Sequence, residues 1–306
     1  MTEILCIGLA VYDISLPLPY YPTENSKLEI QTSYEAGGGP AANAAYLLSK
    51  WGVNTAFAGM IGDDIYGRLI IEEFKAMGTD ISLLEAQPGF QTPLAVILVN
   101  RETGSRTIIH RREKGPDYRP DLAIMKKLNP QVLLFDGHEP EISFAAMKMF
   151  PEARTILDAG SLRPGTETLA GRVDYLVASE RFALSWTGVP DLKNPENRRE
   201  CLLRLAQLNR GHVTVTLGEA GLIHNEGEIC HHLPAFTAET IDTTGAGDIF
   251  HGAFAYGILK NYSLLETLQM ASMAASLSVS TAGGRQSIPE LSLVREKLHE
   301  LKLISD

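Results

Sequence analysis

The segment Asp242-Thr243-Thr244-Gly245-Ala246-Gly247-Asp248 is followed directly by IFHGAFAYGIL, an apolar stretch with helical spacing. Two glycines around a small residue let the backbone approach a ligand closely and present successive N–H groups where the helix begins. Unpaired N–H groups and the helix dipole both favour an anion there. The carboxylate beside this anion site, Asp248, is typical of a group that accepts a proton from a hydroxyl attacking a phosphoryl group. Taken alone, the pattern also fits a tight turn with Asp248 as an ordinary helix cap.

A second glycine-rich stretch, Ala36-Gly37-Gly38-Gly39-Pro40-Ala41-Ala42-Asn43, precedes an alanine-rich helical pattern. Pro40 is tolerated in a first helical turn, and the three glycines again allow close backbone approach. Asn43 lies one turn into the helix, where its amide can donate and accept hydrogen bonds with sugar hydroxyls. The stretch also matches a G-x-G-x-x-A dinucleotide pattern. However, it follows the polar residues 32–35, and no ribose-binding acid is evident in a second strand, which disfavours a dehydrogenase.

Short β-branched runs alternate with longer amphipathic stretches along the chain, which is the pattern of βαβ units. The predicted strands are Ile4–Val11, Thr55–Met60, Val132–Phe135, Thr155–Leu157, Tyr175–Val177 and Val213–Leu217. The predicted helices are Pro40–Trp51, Ile65–Met77, Ser143–Phe150, Arg199–Leu208 and Ile249–Lys260. This alternation predicts a mostly parallel sheet covered by helices.

Two stretches depart from this alternation. Lys27–Glu35 alternates polar and apolar residues with no helix after it, and Pro93–Arg112 has two strand-like runs around the turn Glu102-Thr103-Gly104. These stretches predict a small antiparallel sheet attached to the α/β core, with a face that could cover a ligand or meet a second subunit. A further hairpin is predicted in residues 221–234, with its turn at Asn225-Glu226-Gly227.

The composition excludes several classes of protein. The 306 residues are 44% hydrophobic and 21% charged, which predicts a folded chain of one or two domains. Lys plus Arg total 27 and Asp plus Glu total 37, and the resulting net charge of -10 argues against sequence-independent nucleic-acid binding. No apolar run approaches the roughly 18 residues that span a bilayer. The N-terminus lacks a basic segment, and the three cysteines lack CxxC spacing, so we expect a cytoplasmic protein without signal peptide, zinc site or disulfide framework.

The order and spacing of these motifs resemble the signatures of the ribokinase-like (PfkB) family of sugar kinases over nearly the whole chain. The stretch from Gly8 to Asp13 is similar to the family's first strand, which ends in a sugar-binding acid. Three further segments are similar to family motifs: Gly59-x-x-Gly62-Asp63-Asp64-x-x-Gly67, Thr216-Leu217-Gly218-x-x-Gly221 and Gly283-Gly284-x-x-Ser287. Each segment alone is a weak signal, whereas all of them in order are specific.

The resemblance implies a three-layer α/β/α sandwich with a mostly parallel central sheet and a small β-sheet lid. Residues 1–306 would form one kinase domain, with the lid built from about 14–35 and 91–113. Such lids often pair two subunits in this family, so a homodimer through the lid is expected. The expected partners are a small sugar and ATP, with no nucleic acid and no membrane.

The resemblance also implies a role for each matching residue in an ATP-dependent sugar kinase. Asp248 would be the general base, and the N–H groups of Gly245, Ala246 and Gly247 would form an anion hole for the phosphoryl group. The residues expected to hold sugar hydroxyls are Asp13, Gly38, Gly39 and Asn43. Those expected at the ATP site are Thr216, Gly218, Gly221, Gly247 and Gly284. Mg2+ would bridge phosphate oxygens, largely through water. The residues expected around an activating K+ are Asp242, Thr244 and Ser287.

One departure from the family favours a ketose acceptor. Many members carry an Asn-x-x-Glu motif that helps to organise magnesium, but here the stretch reads Ser179-Glu180-Arg181-Phe182, so no metal ligand is predicted there. The ketohexokinase and sulfofructose kinase branches also lack that motif. Residues 104–109 (GSRTII) are similar to the first branch, and GGGPAA, GHVTVTLGEAG, DTTGAGDIFHGA and GGRQSIP are similar to the second.

An anionic acceptor is a further hypothesis. In the sulfofructose kinase pattern a Lys, an Asn and an Arg hold the sulfonate; Lys27 matches the first, while His110 and His138 stand at the other two positions. Two protonated histidines could bind an anion, although their unperturbed pKa of about 6.5 makes this depend on pH. Strand alternation places His110 and Arg112 on one face, and His138 follows a predicted strand, where ligands bind in such sheets. The alternative interpretation is that residues 110–112 form a solvated edge of the lid.

Two other classes of function fit the same motifs. The acceptor could be a nucleoside or a sugar phosphate, because the pocket walls come from the poorly predictable lid. The chain could also be a non-catalytic sugar or nucleotide sensor. The sensor is disfavoured because Asp248 and the glycines of residues 245–247 are all present, and a binding protein has no need of that carboxylate.

Overall fold

The computed structural model describes residues 1–113, 115–227 and 229–305, which form thirteen strands and ten α-helices. The strands are β1 (Ile4–Ile7), β2 (Val11–Leu18), β3 (Tyr34–Gly38), β4 (Thr55–Gly62), β5 (Asp80–Gln87), β6 (Leu94–Asn100), β7 (Arg106–Arg111), β8 (Val132–Phe135), β9 (Arg154–Ala159), β10 (Tyr175–Ser179), β11 (His212–Thr216), β12 (Leu222–Glu226) and β13 (Ile229–Leu233). The helices are α1 (Pro40–Lys50), α2 (Ile65–Met77), α3 (Leu122–Leu128), α4 (Pro140–Met149), α5 (Pro164–Ala170), α6 (Glu180–Thr187), α7 (Pro195–Leu208), α8 (Ala246–Leu259), α9 (Leu264–Ser278) and α10 (Leu291–Ser305).

The strands form a large sheet and a small one. The large sheet has the order β13-β12-β11-β10-β9-β8-β1-β4-β5, and its strands are parallel except for the β11-β12 and β12-β13 pairs. The small sheet has the order β3-β2-β6-β7. Its outer pairs are antiparallel, but β2 and β6 are parallel, so the sheet is mixed rather than wholly antiparallel as predicted.

Both faces of the large sheet are covered. In β1, Ile4 and Cys6 belong to an apolar cluster with α1, α2, α8 and α9, whereas Leu5 and Ile7 belong to a second cluster with α3 to α7. Since neither face meets water, the central parallel strands are continuously apolar. This is the three-layer α/β/α arrangement that the sequence predicts.

The predicted strand Ile4–Val11 is wrong in one respect, because it spans parts of both sheets. β1 ends at Ile7, and β2 begins at Val11 in the small sheet. The break falls at Gly8, where an added Cβ would overlap the carboxylate of Asp136. The N–H group of Leu9 donates to the Asp136 Oδ2 atom at 2.9 Å, which fixes the turn. Nothing local in an apolar run reveals this contact, which joins residues 127 positions apart.

The small sheet also differs from its predicted boundaries. The strand expected within Lys27–Glu35 lies at Tyr34–Gly38, and residues 19–33 contain no strand. In the predicted hairpin, Glu226 pairs with Ile229 and Gly227 has a φ of +60°. Glu228, which belongs to the same predicted hairpin, lies outside the described residues.

Several helices begin earlier than predicted. α8 begins at Ala246 rather than Ile249, so Gly245 is its N-cap and Gly247 lies in its first turn. α4 and α7 also begin earlier than predicted, each at a proline. The start of α1 depends on Gly39, whose φ of +100° is strained for any L-residue and whose added Cβ would overlap the Leu9 carbonyl oxygen. Among the helices of the described ranges, none combines the length and hydropathy of a membrane span.

Candidate active site

Asn43, Asp248 and the glycines beside them lie where α1 and α8 begin, at the edge where the strands of the large sheet end. Asp136 directly follows β8; its Oδ2 atom accepts from the N–H groups of Leu9 and Ala41, the second at 3.2 Å. One carboxylate therefore joins the end of β1 to the first turn of α1. Ligands bind at this edge in open α/β sheets because the strand ends and helix N-termini point there.

Asp248 lies half-buried in the first turn of α8. Its Oδ2 atom accepts a hydrogen bond of 2.7 Å from the Nδ2 atom of Asn43. Burial raises the pKa of Asp248, while this hydrogen bond and the neighbouring His251 and Arg106 side chains oppose that rise. A carboxylate with a raised pKa that is still held by a donor is suited to accept a proton from a substrate hydroxyl.

The backbone of residues 245–247 adopts the conformation that an anion site needs. Gly245 is the N-cap of α8 with a φ of +75°, and Gly247 is exposed, with open space where a Cβ would lie. The N–H group of Ala246 donates to the Thr243 carbonyl at 3.3 Å, a long hydrogen bond. The first N–H groups of a helix lack partners within the helix, so this end of α8 can accept negative charge.

Asp13 lies against the glycine loop that precedes α1. An added Cβ on Gly38 would overlap the Asp13 carboxylate, so only glycine fits opposite this side chain. Burial and, to a smaller degree, the charge of Asp248 raise the pKa of Asp13 to about 7, while the charge of Arg285 opposes the rise.

Asn43 is 3% exposed, and both ends of its amide are bonded within the protein. Besides the bond to Asp248, its Oδ1 atom accepts from the Nε atom of Arg285 at 3.2 Å. One amide hydrogen and one lone pair remain for a ligand. Asn43 therefore holds the predicted base, in addition to any contact with a sugar.

Three of the predicted nucleotide residues lie at the end of β11 and in the turn that follows it. Thr216 ends β11, and its hydroxyl donates to the Ala178 carbonyl at 3.4 Å. Gly218 and Gly221 frame a short 3-10 turn with φ values of +59° and +88°, and an added Cβ on Gly221 would overlap the Leu233 carbonyl. Gly284 differs from these glycines. A Cβ there would lie 3.7 Å from the Thr244 Cγ2 atom, an ordinary van der Waals contact.

The three residues predicted to surround K+ lie in two segments that contact each other. Asp242 accepts from the N–H groups of Thr244 at 2.8 Å and Gly283 at 2.9 Å. The Ser287 hydroxyl donates to the Gly284 carbonyl at 2.7 Å. The Thr244 Oγ1 atom is buried without a hydrogen-bond partner. Oxygen donors with one orphaned hydroxyl fit a hard cation.

Two arginines contact the predicted substrate residue His138. Arg112 Nη1 lies 2.7 Å from its Nδ1 atom, and Arg163 Nη1 lies 2.5 Å from its Nε2 atom. A guanidinium only donates, and a neutral imidazole has one acceptor nitrogen, so one of these N–H groups has no proper acceptor. The Nε atom of Arg163 is also buried without a partner. The cluster thus has more donors than acceptors.

The histidines themselves do not supply charge to this cluster. Burial lowers the pKa of His138 to about 4, and both arginines lower it further. Burial and Arg112 also lower the pKa of His110, which is exposed on β7. The lowered pKa values disfavour protonated histidines at neutral pH, where the positive charges beside His138 are those of Arg112 and Arg163; anion binding by His110 and His138 stays a prediction. Lys27 is exposed in residues 19–33, with no hydrogen bond or ion pair to the described part of the chain.

A cavity of about 450 Å³ adjoins this cluster. Its walls include Leu9, Arg112 and His138, but also the carboxylates of Glu113 and Glu139. Burial raises the pKa of Glu139 to about 7, and Arg112 opposes that rise. Asp13, Asn43 and Asp248 are not among its lining residues, so this cavity does not enclose them.

Sequence reasoning missed three arginines of the site. Arg106 Nη1 donates to the Thr243 hydroxyl at 2.5 Å, Arg163 contacts His138, and Arg285 contacts Asn43. Arg106 and Arg285 stand inside motifs that were recognised, and their charged side chains within those motifs were the available signal. Arg163 lies in a loop after β9 with no motif around it.

Asp13→Asn is expected to stabilise the protein, and to do so more at pH 8 than at pH 5. The pKa of Asp13 rises on folding from 3.8 to about 7, so the folded state holds a proton that the unfolded state has lost. The free energy of unfolding therefore falls as the pH rises from 3.8 to about 7. Above pH 7 the protein bears the full free-energy cost of an ionised, buried Asp13. Asparagine cannot ionise and so avoids this free-energy cost. We expect a rise in Tm on the order of 2–4 °C at pH 8.

Thermal unfolding of both proteins at the two pH values checks this prediction. The control is Asp63→Asn, at a surface carboxylate that is 61% exposed and pairs with Arg68 at 3.4 Å. A Tm that is unchanged or lowered at pH 8 would contradict the prediction.

Comparison with known proteins places the chain in a family. Residues 1–291 match the model of the pfkB family of carbohydrate kinases. The ribokinase of Lactococcus lactis is 28% identical over 309 residues, which covers 99% of each chain. A putative ribokinase from Agrobacterium tumefaciens has a TM-score of 0.87 at 26% identity, with 98% of each chain covered. Arabidopsis thaliana ribokinase, solved with ribose and ATP, has a TM-score of 0.81 at 27% identity and covers 97% of this chain and 98% of its own.

These findings confirm the predicted family, its ribokinase-like fold and its class of activity, a phosphotransferase with an alcohol group as acceptor. The chain belongs to the pfkB family of carbohydrate kinases.

Proposed function

We propose that this chain transfers the γ-phosphoryl group of ATP to a primary hydroxyl of a ketose or related sugar, with Asp248 as the general base. The observation that carries the proposal is the position of Asp248, which lies at the N-terminus of α8 and is bonded through Asn43 to the helix that follows the glycine loop. The same side chain thus adjoins both an anion site and a polar pocket. The structural neighbour that holds ribose and ATP supports this pairing of ligands.

The steps follow from the residues. Asp13 and the backbone at Gly38 and Gly39 orient the sugar, and Asp248 takes the proton of the attacking hydroxyl. The N–H groups of residues 245–247 stabilise the charge on the transferring phosphoryl group. Arg106, which acts on the Asp248 carboxylate from the small sheet, adds a positive charge on the same side.

A ketose acceptor is supported by the sequence of two segments. The residues that follow β10 lack the family's Asn-x-x-Glu motif, and residues 104–109 have the pattern of the ketohexokinase branch. In the structure, that second segment brings Arg106 to Thr243, so it belongs to the phosphoryl side of the site. The named relatives reported above are ribokinases, and ribose therefore belongs in any test of acceptors.

We expect Mg2+ to be held at this site by the phosphates of the nucleotide rather than by protein side chains. Among residues 1–113, 115–227 and 229–305, no group of three or more His, Cys, Asp or Glu side chains is placed to hold a metal ion. Mg2+ bound to the nucleotide would neutralise phosphate charge, and its other ligands would be mostly water. The chain's own contribution is to place N–H groups and Arg106 near the same oxygens.

Potassium instead of sodium is expected to raise the rate of phosphoryl transfer several-fold. The oxygen donors Asp242, Thr244 and Ser287 and the orphaned Thr244 hydroxyl fit a large monovalent cation beside the anion site. Assays at equal ionic strength in KCl and NaCl check this. Thr244→Val should reduce the difference between the two salts, and equal rates of the unaltered protein in both would contradict the prediction.

Asp248→Asn is expected to lower kcat by about 1000-fold, because the amide cannot accept the hydroxyl proton. Sugar binding should persist, since Asn43 and Asp13 remain. ADP release measures the first effect, and isothermal titration with the sugar measures the second. Asp63→Asn serves as the control for loss of a carboxylate at the surface. A variant that keeps its kcat would exclude Asp248 as the base, whereas an unaltered protein that binds sugar but releases no ADP would be a sensor.

A second candidate acceptor is an anionic sugar, such as a sugar phosphate. The observation in its favour is the cluster of Arg112, His138 and Arg163, which has unpaired donors. Asp136 connects the cluster to the first turn of α1. Its backbone carbonyl accepts a hydrogen bond from Arg163 at 2.8 Å, and its carboxylate accepts one from the N–H group of Ala41. An oxyanion would accept from both guanidinium groups. The carboxylates in the adjoining cavity oppose this assignment.

Comparing acceptors on Arg163→Gln decides between the two candidates. The panel contains fructose, tagatose, psicose, ribose, sulfofructose, fructose phosphates and nucleosides, assayed by ADP release. If the acceptor is anionic, the substitution should lower kcat/KM for that sugar by about tenfold or more and leave neutral sugars nearly unchanged. A preference for a neutral ketose that the substitution does not alter would reject the anionic acceptor.

The homodimer through the small sheet and the cytoplasmic location stay predictions. The apolar surface that pairing would cover lies on β7, where every residue is exposed, including Ile108 (41%) and Ile109 (57%).

A further inference from the structure

Arg285 is a buried cation at the centre of the site, and no step described so far uses it. It begins the 3-10 turn Arg285–Ser287 and is 3% exposed. Its guanidinium lies 4.8 Å from the ring centroids of both Tyr46 and Phe74, and it pairs with Glu73 at 2.6 Å. The partner Glu73 and two aromatic faces together fix the plane of the guanidinium.

This fixed plane decides which way the Asn43 amide points. A guanidinium can only donate, so the atom of Asn43 that faces Arg285 Nε at 3.2 Å must be the oxygen. The amide nitrogen then faces Asp248, to which it donates at 2.7 Å. If the amide were turned over, its NH2 group would face the guanidinium and its oxygen would face the Asp248 carboxylate. Both contacts would then be repulsive.

The same ion pair also holds the glycine loop. The N–H group of Gly37 donates to both oxygens of Glu73, at 3.0 and 3.1 Å. An added Cβ on Gly37 would overlap the guanidinium of Arg285, so the loop lies directly on this side chain. Arg285 therefore contacts the loop before α1, through Glu73, and Asn43 within α1.

We infer that Arg285 is a positioning residue for the proton transfer: it fixes the Asn43 amide so that its NH2 group donates to Asp248, and it acts on the reaction through Asn43. The inference rests on the proposed role of Asp248. It differs from a structural role, because a buried ion pair that served only packing would change stability without changing the properties of the base.

The base responds to several neighbours besides Asn43. His251 and Arg106 lower the pKa of Asp248, and the charge of Asp136 raises it. The carboxylates of Asp13 and Asp158 are also coupled to it. Of these groups, Asp13 also responds to the charge of Arg285, and Arg285→Lys keeps that charge. If Arg285→Lys changes the pH profile only when Asn43 is present, the change can be assigned to the hydrogen bond between Asn43 and Asp248.

A double-mutant cycle tests the inference with Arg285→Lys, Asn43→Ala and the combined variant. Lysine keeps the charge beside Glu73 but lacks the planar Nε donor. We expect Arg285→Lys to lower kcat by about tenfold with little change in the KM for ATP. We also expect it to raise the pH of the acid limb of the kcat profile, because the carboxylate loses its oriented donor. In the Asn43→Ala background, Arg285→Lys should have no further effect on kcat.

Arg204→Lys is the matched control, because Arg204 also bonds a glutamate, Glu200 at 2.7 Å, and a backbone carbonyl, but on α7. If Arg285→Lys does not fold, Glu73→Gln replaces it in the cycle, since it weakens the same ion pair without a change of shape. An equal loss of kcat in both Asn43 backgrounds, or a lowered Tm with an unchanged kcat and pH profile, would overturn the inference. Asp248→Asn, assayed alongside, separates this failure from failure of the proposed base, because only the latter leaves that variant active.

Discussion

The site depends on the close packing of α1 against α8. An added Cβ on Gly252 would come within 3.1 Å of the Ala44 Cα atom, so the two helices approach nearly backbone to backbone. The residues that make this contact are small, and Ala41, Ala44 and Ala253 are fully buried. At this separation the short side chain of Asn43 can reach Asp248 across the interface. Ala44 of α1 and Gly252 of α8 are therefore required by the distance between two polar groups as much as by the core.

Sequence patterns predicted those parts of the fold that are local. The alternation of strands and helices, the two glycine-rich loops and the position of Asp248 follow from periodicity and backbone chemistry within a few residues. The strand break at Gly8 could not be predicted, because its cause is the carboxylate of Asp136, far along the chain. Likewise, Arg285 stands inside a recognised motif, but its partner Asn43 lies 242 positions away, so its role could not be predicted locally. Arg163 lies outside every motif, and a single arginine gives no periodic signal.

Burying the carboxylates of the site costs electrostatic free energy. Burial raises the pKa of Asp13 and of Asp158 to about 7, and Asp248 is shifted in the same direction. Asp158 lies 3.1 Å from the Nδ1 atom of His251, and both side chains are 5% exposed. An apolar core would tolerate none of these charges without a partner, so donors and cations have to be supplied around them. Arg285, Asn43 and His251 have this role, which gives a physical reason for placing them in a region that packing alone would fill with apolar residues.

The small sheet is connected to the phosphoryl side of the site as well as to the sugar side. β2 carries Asp13, while the turn after β6 contacts the loop before α8, since the Thr243 hydroxyl donates to the Gly104 carbonyl at 3.2 Å and accepts from Arg106. A displacement of β7 would move Arg106 away from Thr243 and weaken the positive potential at Asp248. One sheet therefore carries both the predicted sugar-binding carboxylate, Asp13, and the arginine that contacts the loop before α8.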